Sequence, residues 1–124
     1  MRSTIVYHAH EHYTETVYGQ ETSLDALFET AAHTLAVARG HGCTRFLGDC
    51  RALGFGGPAL QVEHLVTFIK ASGIGPKDRE ALIVPEGADR EGNFVHFEKL
   101  CTQHGFAVRL FLDRDEARIW LLQK

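Results

Sequence analysis

Three histidines at alternate positions, His8, His10 and His12, have the types and spacing that most directly suggest chemistry. On an extended strand, alternate side chains share one face, with neighbours about 6–7 Å apart. Neutral imidazoles ligate zinc, copper or nickel, so a strand running through all three would present a candidate metal site. Such a site also needs converging geometry and supporting hydrogen bonds. The competing reading is a polar hairpin turn, His8-Ala9-His10-Glu11-His12, between two strands, which need not aim three rings at one point. His33, His41, His64, His96 and His104 are scattered and form no cluster in the sequence.

A second group of candidates follows a short apolar segment at Thr44 to Leu47. Asp49, Cys50 and Arg51 come first, and the loop Gly54-Phe55-Gly56-Gly57-Pro58 comes next. A nucleophilic cysteine needs a lowered pKa and a base in reach. Arg51 is adjacent to Cys50 but points to the opposite face of a strand, and no histidine is nominated as base by its spacing, so Cys50 reads as a buried, inert thiol. Asp49 and Arg51, two positions apart, are placed to pair while the strand lasts. Glycines ahead of a helix can turn backbone N–H groups toward a phosphate. Here, though, the spacing is neither GxGxxG nor GxxxxGK[ST]. The loop sits where open α/β sheets bind ligands, outside the carboxyl end of a central strand. Asp49, Cys50, Arg51, Gly54, Phe55, Gly56 and Gly57 are therefore the expected interaction or ligand loop. Phe55, Phe94 and Phe97 would form a docking patch if exposed together, although the periodicity places Phe97 in the core. The acids Asp113, Asp115 and Glu116 are explained by helix capping, and Asp89 and Glu91 lie in a polar loop, so neither set makes a general acid–base pair.

These residues must be held by a small domain. The chain has 124 residues, 44% of them hydrophobic and 23% charged, with a net charge of −3. That fits one domain with one core, residues 1–124. There is no basic footprint for nucleic acid and no apolar run near the ~20 residues of a membrane span. The N-terminus lacks a long apolar stretch with a cleavage site, so a cytoplasmic location is expected. Three cysteines, Cys43, Cys50 and Cys101, with no CxxC pair, read as reduced thiols. No cofactor is implied.

The elements follow from periodicity. Ser3–Tyr7 and Tyr13–Tyr18 alternate as strands. Leu24, Leu27, Phe28, Ala31 and Leu35 form a helical face, capped by Thr22 or Ser23 and ended by Gly40 and Gly42. A helix through Val62, Leu65, Val66 and Ile69 stops at Gly73, Gly75 and Pro76, and Ala81–Val84 is a strand. Phe94, Phe97, Leu100, Cys101 and His104 mark another helix, with Gly105 as its left-handed cap. Phe106 to Leu112 is a nearly continuous apolar run, as expected of a strand covered on both faces. Asp113 with Glu116 forms an Asp version of the capping box, ahead of a helix with Ala117, Trp120 and Leu121 on one face; Arg114, Asp115 and Arg118 are expected to stay in water. The order β-β-α-β-α-β-α-β-α predicts an α/β fold: one mixed, mainly parallel five-stranded sheet with four helices.

This order, the strand ending Phe46-Leu47-Gly48-Asp49-Cys50-Arg51, and the closing Phe111-Leu112-Asp113-Arg114-Asp115-Glu116-Ala117-Arg118-Ile119-Trp120-Leu121 together resemble the STAS-like proteins. These share the fold of the sporulation anti-sigma-factor antagonist (stage II sporulation protein AA-like). The likeness is strongest to small bacterial single-domain members that end in an F-x-D-x-D-E-A-x-x-W-L helix. The resemblance implies a non-enzymatic protein-interaction module. In the antagonists, a serine after the strand-end aspartate is phosphorylated. Asp49 matches that aspartate, but Cys50 and Arg51 stand where the serines would be, so the phospho-switch does not carry over. The fold is also related to the lipid-binding domain of Sec14-like proteins, whose layers part around an apolar ligand.

The leading expectation is thus a non-catalytic regulatory module that meets an unidentified protein partner, or a second copy as a homodimer, through the Asp49–Pro58 loop. The alternatives are a small-ligand domain, lipid-like or nucleotide-like, with an apolar pocket, and a metal protein built on His8, His10 and His12.

Overall fold

Nine segments of regular structure alternate as the hydrophobic periodicity requires. The computed structural model describes residues 3–19, 24–53, 62–86 and 93–123. In chain order the elements are β1 (Thr4–His8), β2 (Tyr13–Val17), α1 (Leu24–Gly40), β3 (Arg45–Asp49), α2 (Val62–Ala71), β4 (Arg79–Ile83), α3 (Asn93–Gln103), β5 (Ala107–Phe111) and α4 (Arg114–Leu121). The expected caps Thr22 and Ser23, the acids Asp89 and Glu91, and Gly54, Phe55, Gly56, Gly57 and Pro58 lie outside the described residues.

The strands form one sheet in the order β1-β2-β3-β4-β5. β1 is antiparallel to β2, and the remaining pairs are parallel. The fold is therefore α/β with a mixed sheet. Each parallel strand is laid down beside the one before it, always in the same direction. Right-handed crossovers then put α1, α2 and α3 on one face of the sheet. α4 follows the last strand and crosses to no further one, so it is free to cover the opposite face.

Side-chain alternation along the strands sorts the core accordingly. On the α1–α3 side, Leu27, Val62, Val66, Phe94, Phe97 and Cys101 pack with Tyr18, Leu82, Phe106 and Val108. On the α4 side, Ala117 and Leu121 pack with Tyr13, Leu47, Ala81 and Ile83. A third group, Ala38, Cys43 and Phe46, closes the end of α1. Phe94 and Phe97 are both buried, so neither adds to an exposed aromatic patch.

The helix ends behave as their chemistry demands. Gly105 has φ +81°, a left-handed conformation that glycine adopts without steric cost. Asp113 is the N-cap of α4, and its carboxylate accepts a hydrogen bond from the Glu116 backbone N–H at 3.2 Å. Asp78, 1% exposed, accepts two hydrogen bonds from the Arg39 guanidinium at 3.0 and 3.1 Å and a third from the Gly75 N–H at 2.9 Å. This ties the end of α1 to the entry of β4.

Candidate functional site

The two faces of the sheet hold polar groups in opposite ways. On the α4 face, Glu15 of β2 is 7% exposed. Arg114, at the start of α4, donates to both its oxygens, at 2.8 and 3.2 Å, and His8 Nε2 lies 2.8 Å from Oε1. Burial pushes the Glu15 carboxyl up, but the hydrogen bonds from Arg114 and His8 outweigh it and leave the pKa below the ordinary value. Arg114 stays more than a third exposed along its side chain, as its place off the apolar face allows, while its guanidinium reaches a buried carboxylate 99 positions away in the chain and supplies the partner that desolvation requires.

Asp49 ends β3 on this same face. It accepts hydrogen bonds from Arg51 Nε at 3.0 Å, Arg51 Nη2 at 2.8 Å and the Arg51 backbone N–H at 3.1 Å. These bonds hold its carboxyl below the ordinary range. The clasp folds Arg51 back over the strand end. Cys50, between them in sequence, points to the other face, is 3% exposed and lines the cavity described below. Arg51 is thus engaged with a carboxylate across the sheet from the thiol, and no histidine lines the cavity with Cys50.

His8, His10 and His12 are not brought together. The strand ends at His8, and the hairpin places His12 at φ +57°. His8 turns to Glu15 and stacks on Tyr13 at 4.4 Å between ring centroids. His12 hydrogen-bonds the Tyr7 hydroxyl through Nδ1, with Nε2 3.3 Å from the Gly42 carbonyl oxygen. The imidazoles of His8 and His12 are spent on separate partners, and among the described residues no group of three or more His, Cys, Asp or Glu is placed to hold a metal ion.

On the α1–α3 face the sheet and helices part around a cavity of about 100 Å³. Leu27 and Leu35 of α1, Val62 and Ile69 of α2, and Phe97 of α3 form its helical walls; Phe46, Glu80 and Leu82 form its floor. Gly48 helps to shape that floor. A Cβ there would come within 2.7 Å of Leu82 Cδ2, and Glu80 Oε2 lies 3.8 Å from the same point. Stacking of Phe28 on Phe68, at 5.0 Å between centroids, closes α1 against α2.

Among the described residues, Glu80 is the only carboxyl lining this space. Phe46 on β3 and Val108 on β5 flank it in register. Glu80 is half-buried, and it lines the cavity. Burial alone pushes its carboxyl up to about 8, so it is mostly neutral at pH 7. The thiol of Cys101 is raised as well, by its own burial and by the nearby Glu80. Sequence reasoning missed Glu80 because the strand seemed to begin at Ala81. Extending the alternation one residue back puts Glu80 on the same face as Leu82 and Val84, which is the signal that would have found it.

Comparison of the chain with protein-family models, with curated proteins and with solved structures finds no match. Among the described residues, no helix is long and apolar enough to cross a membrane.

Proposed function

We propose that this chain is a non-catalytic domain of the STAS-like type that works by binding, and that what it binds is a small, mainly apolar molecule held between the sheet and α1–α3. The cavity carries this reading: its lining is mainly hydrocarbon, and among the described residues Glu80 is the one carboxyl that lines it, beside the hydroxyls of Thr34 and Ser72. Its lining matches that of small-molecule sites, which are mostly apolar with a few placed polar groups. The single antiparallel edge strand, followed by four parallel strands in chain order, supports the STAS-like resemblance. Of the two small-ligand alternatives, nucleotide binding gains nothing from a floor bearing an acid and no basic side chain.

The test is an NMR titration of the whole chain with cyclopentane. Saturable shifts are expected at Leu82, Val62 and Phe97, and they should vanish in Ala31→Leu, which fills the cavity from α1. Absence of shifts in the parent chain would overturn the reading.

A second reading, contact with a protein partner or a second copy in a homodimer, is favoured by Leu112 and Ile119, which are 60% and 65% exposed just ahead of α4 and on its outer side. The Asp49–Arg51 clasp at the end of β3 would offer the polar edge of such a contact. Light scattering at rising protein concentration tests it: a mass that stays at one chain removes the homodimer.

A further inference from the structure

The carboxyl of Glu80 sits without a hydrogen-bond or ion-pair partner among the described residues, on the interior strand β4 and beside Phe46 and Val108 on the neighbouring strands. An apolar core gains nothing from a carboxyl in that position; leucine or methionine would fill the space and avoid the desolvation cost. The other polar groups nearby are engaged. Thr34 Oγ1 donates to the Thr30 carbonyl and lies 2.7 Å from Thr16 Oγ1, and the Ser72 hydroxyl donates to the Phe68 carbonyl. Glu80 alone is left to meet whatever enters.

We propose that the cavity selects small apolar amines: a hydrocarbon body fills the space between sheet and helices, and a protonated nitrogen pairs with Glu80. This rests on the binding reading above. Size limits the body. An engineered apolar cavity of about 150 Å³ takes benzene, so about 100 Å³ suits a five-membered ring or a short branched chain. Charge chooses the head group. An anion would meet an acid it could only force to stay protonated. A neutral hydroxyl gains an ordinary hydrogen bond, whereas an ammonium gains a charge-assisted one, about twice as strong and strengthened further by the apolar surroundings.

Proton balance gives the proposal a signature. The amine arrives as R–NH3+, the empty site holds Glu80 as COOH, and the complex pairs R–NH3+ with COO−. One proton therefore leaves Glu80 for solvent on binding. With the empty-site carboxyl near 8, affinity should rise about tenfold per pH unit between pH 6 and 8 and level off above. Among the described residues, no other charged side chain lines the cavity from α1, α2, α3, β3 or β5. The titratable neighbours are Tyr18, Cys50 and, behind Glu80 on α3, Cys101. Burial and Glu80 hold the Cys101 thiol well above its ordinary value, so it stays protonated across this window.

Three ligands of one shape make the test: cyclopentane, cyclopentanol and cyclopentylamine, titrated into the whole chain at pH 6, 7 and 8. The amine should bind at least tenfold more tightly than the alcohol at pH 8, with the predicted slope. Glu80→Gln should keep cyclopentane binding and lose both the amine preference and the slope. If cyclopentane binds but the amine shows no preference or no slope, amine selection is overturned while the binding reading stands. If no ligand binds, both fall. Should Glu80→Gln fail to fold, the Glu80 side-chain carboxyl 13C shift in the parent chain serves instead. It should move to the ionised position on adding amine at pH 7, and an unmoved signal in the amine-saturated protein overturns the proposal.

Discussion

The two faces of the sheet give the same side chain opposite environments. Glu15 and Glu80 both lie within strands, Glu15 buried and Glu80 half-buried. On the α4 face Glu15 meets a two-pronged guanidinium and an imidazole, and its carboxyl is held below the ordinary value. On the α1–α3 face Glu80 meets phenyl and isopropyl groups, and its carboxyl is pushed up to about 8. Burial is common to both, so the partner decides the sign. The paired face is a finished structural joint, whereas the unpaired face is an unmet demand, which is why the functional proposal rests there.

The sharpest way to break this comparison is pH. Glu80 holds its proton in the folded chain up to about pH 8, but an unfolded glutamate releases it near pH 4.5. Between those values the unfolded state is favoured progressively as pH rises. The expected loss of stability is about 1.4 kcal/mol per unit, or roughly 4–5 kcal/mol over the whole window. Glu15 and Asp49 act in the other sense. Their folded values are depressed, so the stability they contribute is full above their unfolded values and is lost only as pH falls through the folded ones. Urea unfolding from pH 5 to 9 should therefore show the parent chain losing stability relative to Glu80→Gln as the solution becomes basic. Parallel curves would mean that Glu80 is solvated or paired.

Arg114→Met is the next largest effect. It strands Glu15 in the interior beside His8 alone. Breaking a fully buried pair costs about 3–5 kcal/mol, and the partial exposure of Arg114 lowers the expectation to about 2–3 kcal/mol. Much of the loss should be recovered by the double variant Arg114→Met with Glu15→Gln, because the penalty lies in the orphaned charge. A double variant no better than the single would show that Arg114 contributes mainly by packing its stem.

How much of this was legible in the sequence depends on whether the cause was local. The Asp113 cap, the Gly105 turn and the apolar run of β5 are set by neighbours within a few residues, and the chain displays them. The resulting element order is enough for the α/β class, because short connections between alternating strands and helices allow few alternatives. The histidines misled for an equally local reason. Alternation at 8, 10 and 12 has meaning only on a strand, and the turn at His12 removes the strand. Glu80 and Arg114 were hidden because their environments come from elements far away in sequence. Nothing near Arg114 announces Glu15, and nothing near Glu80 announces that α1 and α2 leave a space above it. The Asp49–Arg51 pair was readable, being only two residues long.

That pair supplies a smaller test. Arg51→Ala removes the two guanidinium hydrogen bonds to Asp49 and leaves the one from the backbone N–H. Because the guanidinium is about half exposed, water can replace much of what it gives, and a cost of about 1 kcal/mol is expected. The Asp49 carboxyl should titrate at higher pH in the variant, followed by its side-chain 13C shift. An unchanged titration would mean that the backbone N–H alone holds the charge.

The smallest effect is expected where the same chemistry lies in water. Arg118 donates to both oxygens of Glu11 at 3.2 and 3.3 Å, much as Arg114 does to Glu15, but here both partners are about a third exposed or more. Arg118→Ala should shift the urea midpoint far less than Arg114→Met, and added salt should erase what shift there is. The two arginines are about equally exposed, whereas Glu15 is buried and Glu11 is not, so burial of the acceptor is the main difference between the pairs. If Arg118→Ala destabilised the chain as much as Arg114→Met at high salt, burial would not be what separates these pairs. The contrast between Glu15 and Glu80 would then need another cause.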